Sequence, residues 1–227
     1  MRRVRVPGFL PSTGGLHFPN RYPHGPVLEV RVGPVRLGLG DAANGLCGGM
    51  VFAVRDLFEA GRPPPPRTDP PPPGSPLFRY LVRRLFASFA LPWGPLRYLL
   101  WQALPSSDGP LGLRGLWERT VRREWPLVRA DLEAGRLCPL GLVRPRSLNP
   151  LVVGRNHQVL AYGYDLDEER GRLAILVYDP NHPHHDGLAL TLDLTGGDRR
   201  IGYLEGELPV RGFFRTPYRR AQPPPQL

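Results

Sequence analysis

The sequence predicts an α+β fold, a helical first half followed by an antiparallel β second half. Three observations carry that expectation. Apolar residues recur at three- and four-residue steps between positions 45 and 134, then give way to short alternating runs after Gly135. Thirty prolines and 27 glycines, about a quarter of the 227 residues, demand many turns and short elements. Hydrophobic residues make up 41% of the chain, enough for a sizeable core. The expected organisation is one domain over 1–227: an N-terminal arm and β-hairpin (1–40), a helical lobe (41–135), an antiparallel β lobe (136–217) and a flexible tail (218–227).

Residues 1–27, rich in Gly and Pro with Phe9, His17, Phe18 and Tyr22, read as an irregular arm against the domain. Residues 28–39 alternate apolar and polar about Gly33-Pro34, a hairpin pattern. The period then changes. Leu46, Met50, Ala53, Val54, Leu57 and Phe58 line one face of a helix that Gly61 stops. Residues 62–76 are mostly proline, whose ring fixes φ and removes the N–H, so they form a semi-rigid linker inside the helical lobe. Helical spacing returns at 77–90, 95–104 and 116–134, with breaks expected at Pro92, Pro105 and Trp125-Pro126. The aromatics Phe78, Phe86, Trp93, Trp101 and Trp117 read as core. Strands are expected at 137–143, 157–164, 172–178, 187–194 and 209–214, with 165–171 a charged hairpin turn and the tail frayed.

Thirty basic against 20 acidic residues give a net charge of +10, and every one of the thirty is arginine. The arginines are scattered, with local excess at 79–84, 114–129 and 211–220. A nucleic-acid interface would gather them in a stripe with stacking aromatics between. Only non-specific, salt-sensitive attraction to polyanions is therefore expected. No run of 18 apolar residues exists, so no membrane-spanning helix is expected, and the absence of an apolar run near the start points to a cytoplasmic protein. Cys47 and Cys138 are far apart and neither belongs to a Cys-x-x-Cys pair, which removes zinc-ribbon and thioredoxin chemistry. Cys138 fits a buried strand thiol. The Asn181-His182-Pro183-His184-His185-Asp186 run has ligand-type residues but no second group to complete a metal site, and reads as a solvated loop. Neither metal nor cofactor is expected.

The segment from Asp41 to Met50 is the most informative. Cys47 stands where a loop enters the helix, and amides at a helix start carry partial positive charge that favours a thiolate. Gly48 and Gly49 would let a substrate carbonyl approach the backbone. On this segment alone a packed, inert cysteine explains the pattern equally well. A second segment decides: Asn156 and His157 open an apolar strand, and the next strand ends in Asp179-Pro180-Asn181. Pairing of the two strands would bring His157 beside Asp179 or Asn181, a base with its orienting partner.

Cys at a helix start, a His-x-Val-Leu-Ala-x-Gly-Tyr strand and a following Asp-Pro together resemble the papain-like cysteine peptidase superfamily, nearest its double-glycine leader peptidase-like branch. That resemblance covers about 50 residues around three motifs. It implies a helical and a β lobe with the site between them, Cys47 as nucleophile, His157 as general base, and Asp179, with Asn181 as substitute, as the orienting group. The family's oxyanion glutamine falls on Asp41, whose carboxylate would repel an oxyanion, so Asn44 is the replacement donor. Gly48, Gly49 and Asn156 are the expected substrate-binding positions. The implied activity is a thiol hydrolase cleaving an amide of a peptide or protein substrate through a thioester. Transamidation or deamidation by the same triad, and a non-catalytic peptide- or partner-binding module, are the alternatives.

Overall fold

The computed structural model describes residues 1–32, 35–41, 45–90, 93–106, 115–203 and 209–227, with 26–41, 150 and 151 given by their backbone alone. Its organising element is the strand β5 (His157–Asp167), labelled by position among eight described strands. Residues from His157 to Tyr164 are all buried, so this strand must be covered on both faces and lie inside a sheet. It does: β7 (Ala189–Asp193), β6 (Arg172–Tyr178), β5, β4 (Cys138–Val143) and β8 (Gly212–Arg215) lie side by side in that order, every pair antiparallel. Helices α2 (Cys47–Glu59) and α6 (Trp125–Glu133) pack against β5. The molecule is thus mixed helix and antiparallel sheet, as the periodicity implied.

The hairpin is present as β2 (Pro26–Val32) and β3 (Val35–Asp41), a separate two-stranded sheet that delivers the chain towards α2. The proline run ends in α3 (Pro76–Phe89), where Ser75 caps the helix by accepting the Phe78 N–H at 3.3 Å and Pro76 takes the first turn. Helix α4 (Trp93–Ala103) follows.

Of the five aromatics read as core, Phe86 and Trp93 are exposed, and three further expectations are corrected. First, the arm is not irregular throughout. Residues Arg2–Arg5 form β1, which pairs with β5 from Arg2↔Leu166 to Arg5↔Gly163, and Pro11–Gly14 form a short helical turn, α1. Leu16 and Phe18 are fully buried, which makes the arm part of the core. Second, Trp125-Pro126 does not break its helix. From α5 (Leu116–Arg119) the chain widens into a π turn over Thr120–Glu124, and the Trp125 N–H reaches back five residues to the Thr120 carbonyl. The wider turn absorbs the proline's missing donor, and α6 continues the helix. Third, the tail is tied down. Tyr218 donates to Asp56 Oδ1 at 2.6 Å, the Ala221 N–H to the same oxygen at 2.9 Å, and Arg62 to the carbonyls of Pro223 and Pro224 at 3.0 Å each.

Asp56 is fully buried on α2 and also accepts Tyr80 (2.8 Å) and Arg84 (3.1 Å) from α3. Charge-assisted bonds of this kind let a carboxylate stay in the core. They clamp α2, and with it the residue at its first position, between α3 and the tail.

Candidate active site

Strand register decides which side chains meet. Near its far end β5 pairs with β6 as Tyr164↔Ile175 and Gly163↔Leu176, but nearer His157 the pairs are Ala161↔Val177 and Leu160↔Tyr178. Tyr162 is therefore an extra residue, a β-bulge. Side chains alternate faces along a strand, so a one-residue slip moves every following partner to the other side. Without the bulge, Asp179 would fall opposite Leu160 and point away from His157. With it, the register carried one residue past Tyr178 sets Asp179 opposite Val159, on the face that His157 shares.

The two groups meet there. His157 Nε2 lies 2.7 Å from Asp179 Oδ1, with His157 4% exposed and Asp179 fully buried. Asp179 Oδ1 also accepts the Asn181 N–H at 2.8 Å, and Tyr203 donates its hydroxyl to Oδ2. Cys47, the first residue of α2, stands beside the same ring, and the hydrogen bonding and charge of His157 act on its thiol. The backbone amides of Gln158 and Gly48 also favour the charged form of the Cys47 sulfur.

The electrostatics follow from these contacts. Burial pushes the Cys47 thiol up, but the hydrogen bond and charge of His157 with the two amides outweigh it and hold the thiol below its ordinary value. Burial pushes His157 down, yet the charge and hydrogen bond of Asp179, aided by Cys47, raise it to about 10. Asp179 is raised by burial and lowered more by His157, Tyr203 and the Asn181 amide, to about 2. All three shifts favour a thiolate, an imidazolium and a carboxylate in a row.

The other expected residues fare differently. Asn181 does not orient His157; it supports Asp179 through its amide, and its side-chain oxygen accepts Asn20 Nδ2 at 3.2 Å. The Asn156 side chain is held locally, donating to Gln102 Oε1 (3.1 Å) and the Val153 carbonyl (2.9 Å) and accepting the Arg144 N–H (3.2 Å). Gly48 and Gly49 are buried against neighbours. A Cβ on Gly48 would stand 2.3 Å from Ser88 Oγ and one on Gly49 2.2 Å from the Leu81 carbonyl oxygen, so these glycines admit α3 where an approaching substrate was expected. Asp41 ends β3, its backbone opposite Pro26. Asn44 lies outside the described residues.

Among the described residues no group of three His, Cys, Asp or Glu is arranged to hold a metal ion. His184 stacks on His17 with ring centroids 4.9 Å apart, and Asp186 accepts both the amide and the hydroxyl of Ser12 at 2.7 Å. Cys138 is buried on β4 and burial drives its thiol far up, the opposite of Cys47.

Sequence reasoning missed Asn20, Tyr98 and Tyr203. Asn20 accepts the Leu46 N–H at 2.6 Å, one residue before Cys47. Tyr98, buried on α4, reaches the His157 carbonyl at 3.4 Å. None carries a local signal, because each acts on a segment distant in the chain. Also among the described residues, no helix is long and apolar enough to cross a membrane. Comparison with protein-family models, with curated proteins and with solved structures finds no match to this chain.

Proposed function

We propose that the chain is a papain-like thiol hydrolase that cleaves an amide, in the leading version a peptide bond, through Cys47, His157 and Asp179. One observation carries the reading: a single buried imidazole is held by a buried carboxylate on Nε2 and acts on the thiol at a helix start. An inert structural cysteine needs neither partner, and Cys138 in the same chain has no such pairing.

The reaction runs in two halves. His157 takes the proton of Cys47 Sγ, and the thiolate attacks the substrate's carbonyl carbon. As the C–N bond breaks, the imidazolium gives that proton to the departing amine, leaving a thioester on Cys47. Water then enters; His157 takes one of its protons, the hydroxide forms the C–O bond, and the sulfur leaves. Asp179 keeps the imidazole oriented and stabilises its charged form throughout. The Cys47 N–H, at a helix start without a side-chain cap, supplies one oxyanion donor, and Asn44 is the side-chain donor the sequence offers.

The test is incubation with a mixture of unstructured peptides in H₂¹⁸O, reading new termini by mass spectrometry. Hydrolysis puts one ¹⁸O on each new carboxyl, and Cys47→Ser and His157→Ala should abolish it. Products that carry an added amine, such as methylamine, would assign acyl transfer to the same thioester. No new termini, together with alkylation of Cys47 no faster than a free thiol, would refute the hydrolase.

A further inference from the structure

The reactive groups come from two segments that only tertiary structure brings together: the entry to α2, and the end of β6 with its loop. One side chain from the arm joins them. Asn20 Oδ1 accepts the Leu46 N–H at 2.6 Å, and its Nδ2 donates to Asn181 Oδ1 at 3.2 Å. Its own N–H donates to the Pro180 carbonyl at 2.8 Å. Asn181 in turn donates its amide to Asp179 Oδ1, which holds His157, which meets Cys47, the neighbour of Leu46. The path closes on itself.

We propose that Asn20 is a positioning residue that fixes the peptide before the nucleophile against the loop after the acid, and so keeps Cys47 and His157 in an ion-pairing geometry. This rests on the thiol–imidazole reading above. The task needs a neutral group that both accepts and donates, which a primary amide does and a carboxylate, aliphatic or ammonium side chain does not. The fold reserves space for it: Gly45 has φ +83°, and a Cβ there would lie 2.4 Å from Asn20 Nδ2. The arm on either side of Asn20 is anchored, since Phe18 is fully buried and Tyr22 nearly so, its ring edge-on to Phe78 at 5.8 Å.

The experiment is the pH profile of iodoacetamide alkylation at Cys47 in the full chain. It compares wild type with His157→Ala, Asn20→Ala, Asn20→Asp and Tyr22→Phe, the last removing an arm contact outside the ring. The wild-type profile should lie at lower pH than that of a free thiol and lose this in His157→Ala. Asn20→Ala should move the acid limb up by about one pH unit, slowing alkylation about tenfold there. Asn20→Asp keeps the shape and the acceptor but loses the donor and sets a carboxylate near the thiolate, so it should move the limb at least as far. Tyr22→Phe should leave the limb in place. Asn20→Ala combined with Asn181→Ala should shift it no further than Asn20→Ala alone, because both break one path. If Asn20→Ala fails to fold, the near-isosteric Asn20→Asp decides. Asn20 variants with the wild-type profile, beside a His157→Ala variant that loses it, would overturn this role and leave the triad standing. A wild-type profile indifferent to His157→Ala would overturn both.

Discussion

His157 serves two partners, and the two are not equivalent. Asp179 supplies the charge that keeps the imidazole protonated to about pH 10, while Cys47 adds a smaller push in the same direction. Asp179→Asn preserves shape and removes that charge. It should lower the His157 pKa, raise that of Cys47 and cut turnover on the order of a hundredfold or more, measured as kcat/KM on any peptide found to be cleaved. Tyr203→Phe takes one donor from Asp179 and should cost less. In pH terms, alkylation rises as pH climbs through the lowered thiol pKa, and turnover falls as His157 deprotonates towards about 10. Cys47, His157 and Asp179 were legible in the sequence because each marks the end of a periodic segment: a helix start, a strand start and a strand end. Asn20 and Tyr203 were not, since nothing near Asn20 records a partner 161 residues away. Gly48 and Gly49 were visible but misread, because a sequence shows a missing side chain without showing whether a substrate or another helix takes the space.

Elements place those residues, and their junctions are the sensitive points. At Gly49 a methyl group would meet backbone, the Leu81 carbonyl, which cannot swing aside as a side chain does. Gly49→Ala should therefore force α2 from α3 and cost about 1–3 kcal/mol, read from the denaturant midpoint. At the other end of α2, Asp56→Ala leaves Arg84 buried without its carboxylate and frees Tyr218. A loss of about 3–5 kcal/mol is expected from the same measurement. The strands and helices were largely readable from period and turn residues, and their ends lie close to the expected ones. Those that were not readable depended on partners: β1 is a four-residue run that becomes a strand only because β5 offers it an edge, and the tail is ordered only because Asp56 and Arg62 reach it. The bulge at Tyr162 has no sequence mark, yet it decides the face on which Asp179 stands.

Across the whole molecule the reactive pair leaves a signature in stability. His157, raised to about 10 from 6.5, stabilises the folded chain fully below about pH 6.5, a contribution lost as pH rises towards 10. Cys47, lowered from 9.0, acts in the opposite sense: its contribution is present above 9.0 and lost as pH falls through the folded value. Above both 6.5 and the lowered thiol pKa, and below the unfolded thiol value, a folded thiolate–imidazolium and an unfolded thiol with neutral imidazole hold equal numbers of protons. The two slopes cancel there. Cys47→Ser removes one of them, so its stability should decline relative to wild type as pH rises from the lowered thiol pKa to 9.0, measured by urea unfolding at a series of pH values. Asp179, lowered to about 2 from 3.8, adds stability that is present above about pH 4 and lost as pH falls towards 2.

The closed path from Cys47 through Asn20, Asn181, Asp179 and His157 also has a consequence in time. The ribosome makes Cys47 long before it makes the strand that starts at His157, and β1 waits for β5 as well. Contacts spanning most of a chain form late. A nascent chain that ends before residue 157 thus carries Asn20 and Cys47 but none of His157, Asp179 and Asn181, the groups they meet in the folded chain. The groups that lower the Cys47 thiol pKa arrive only with the last third of translation, and the proposed nucleophile passes through most of synthesis without them.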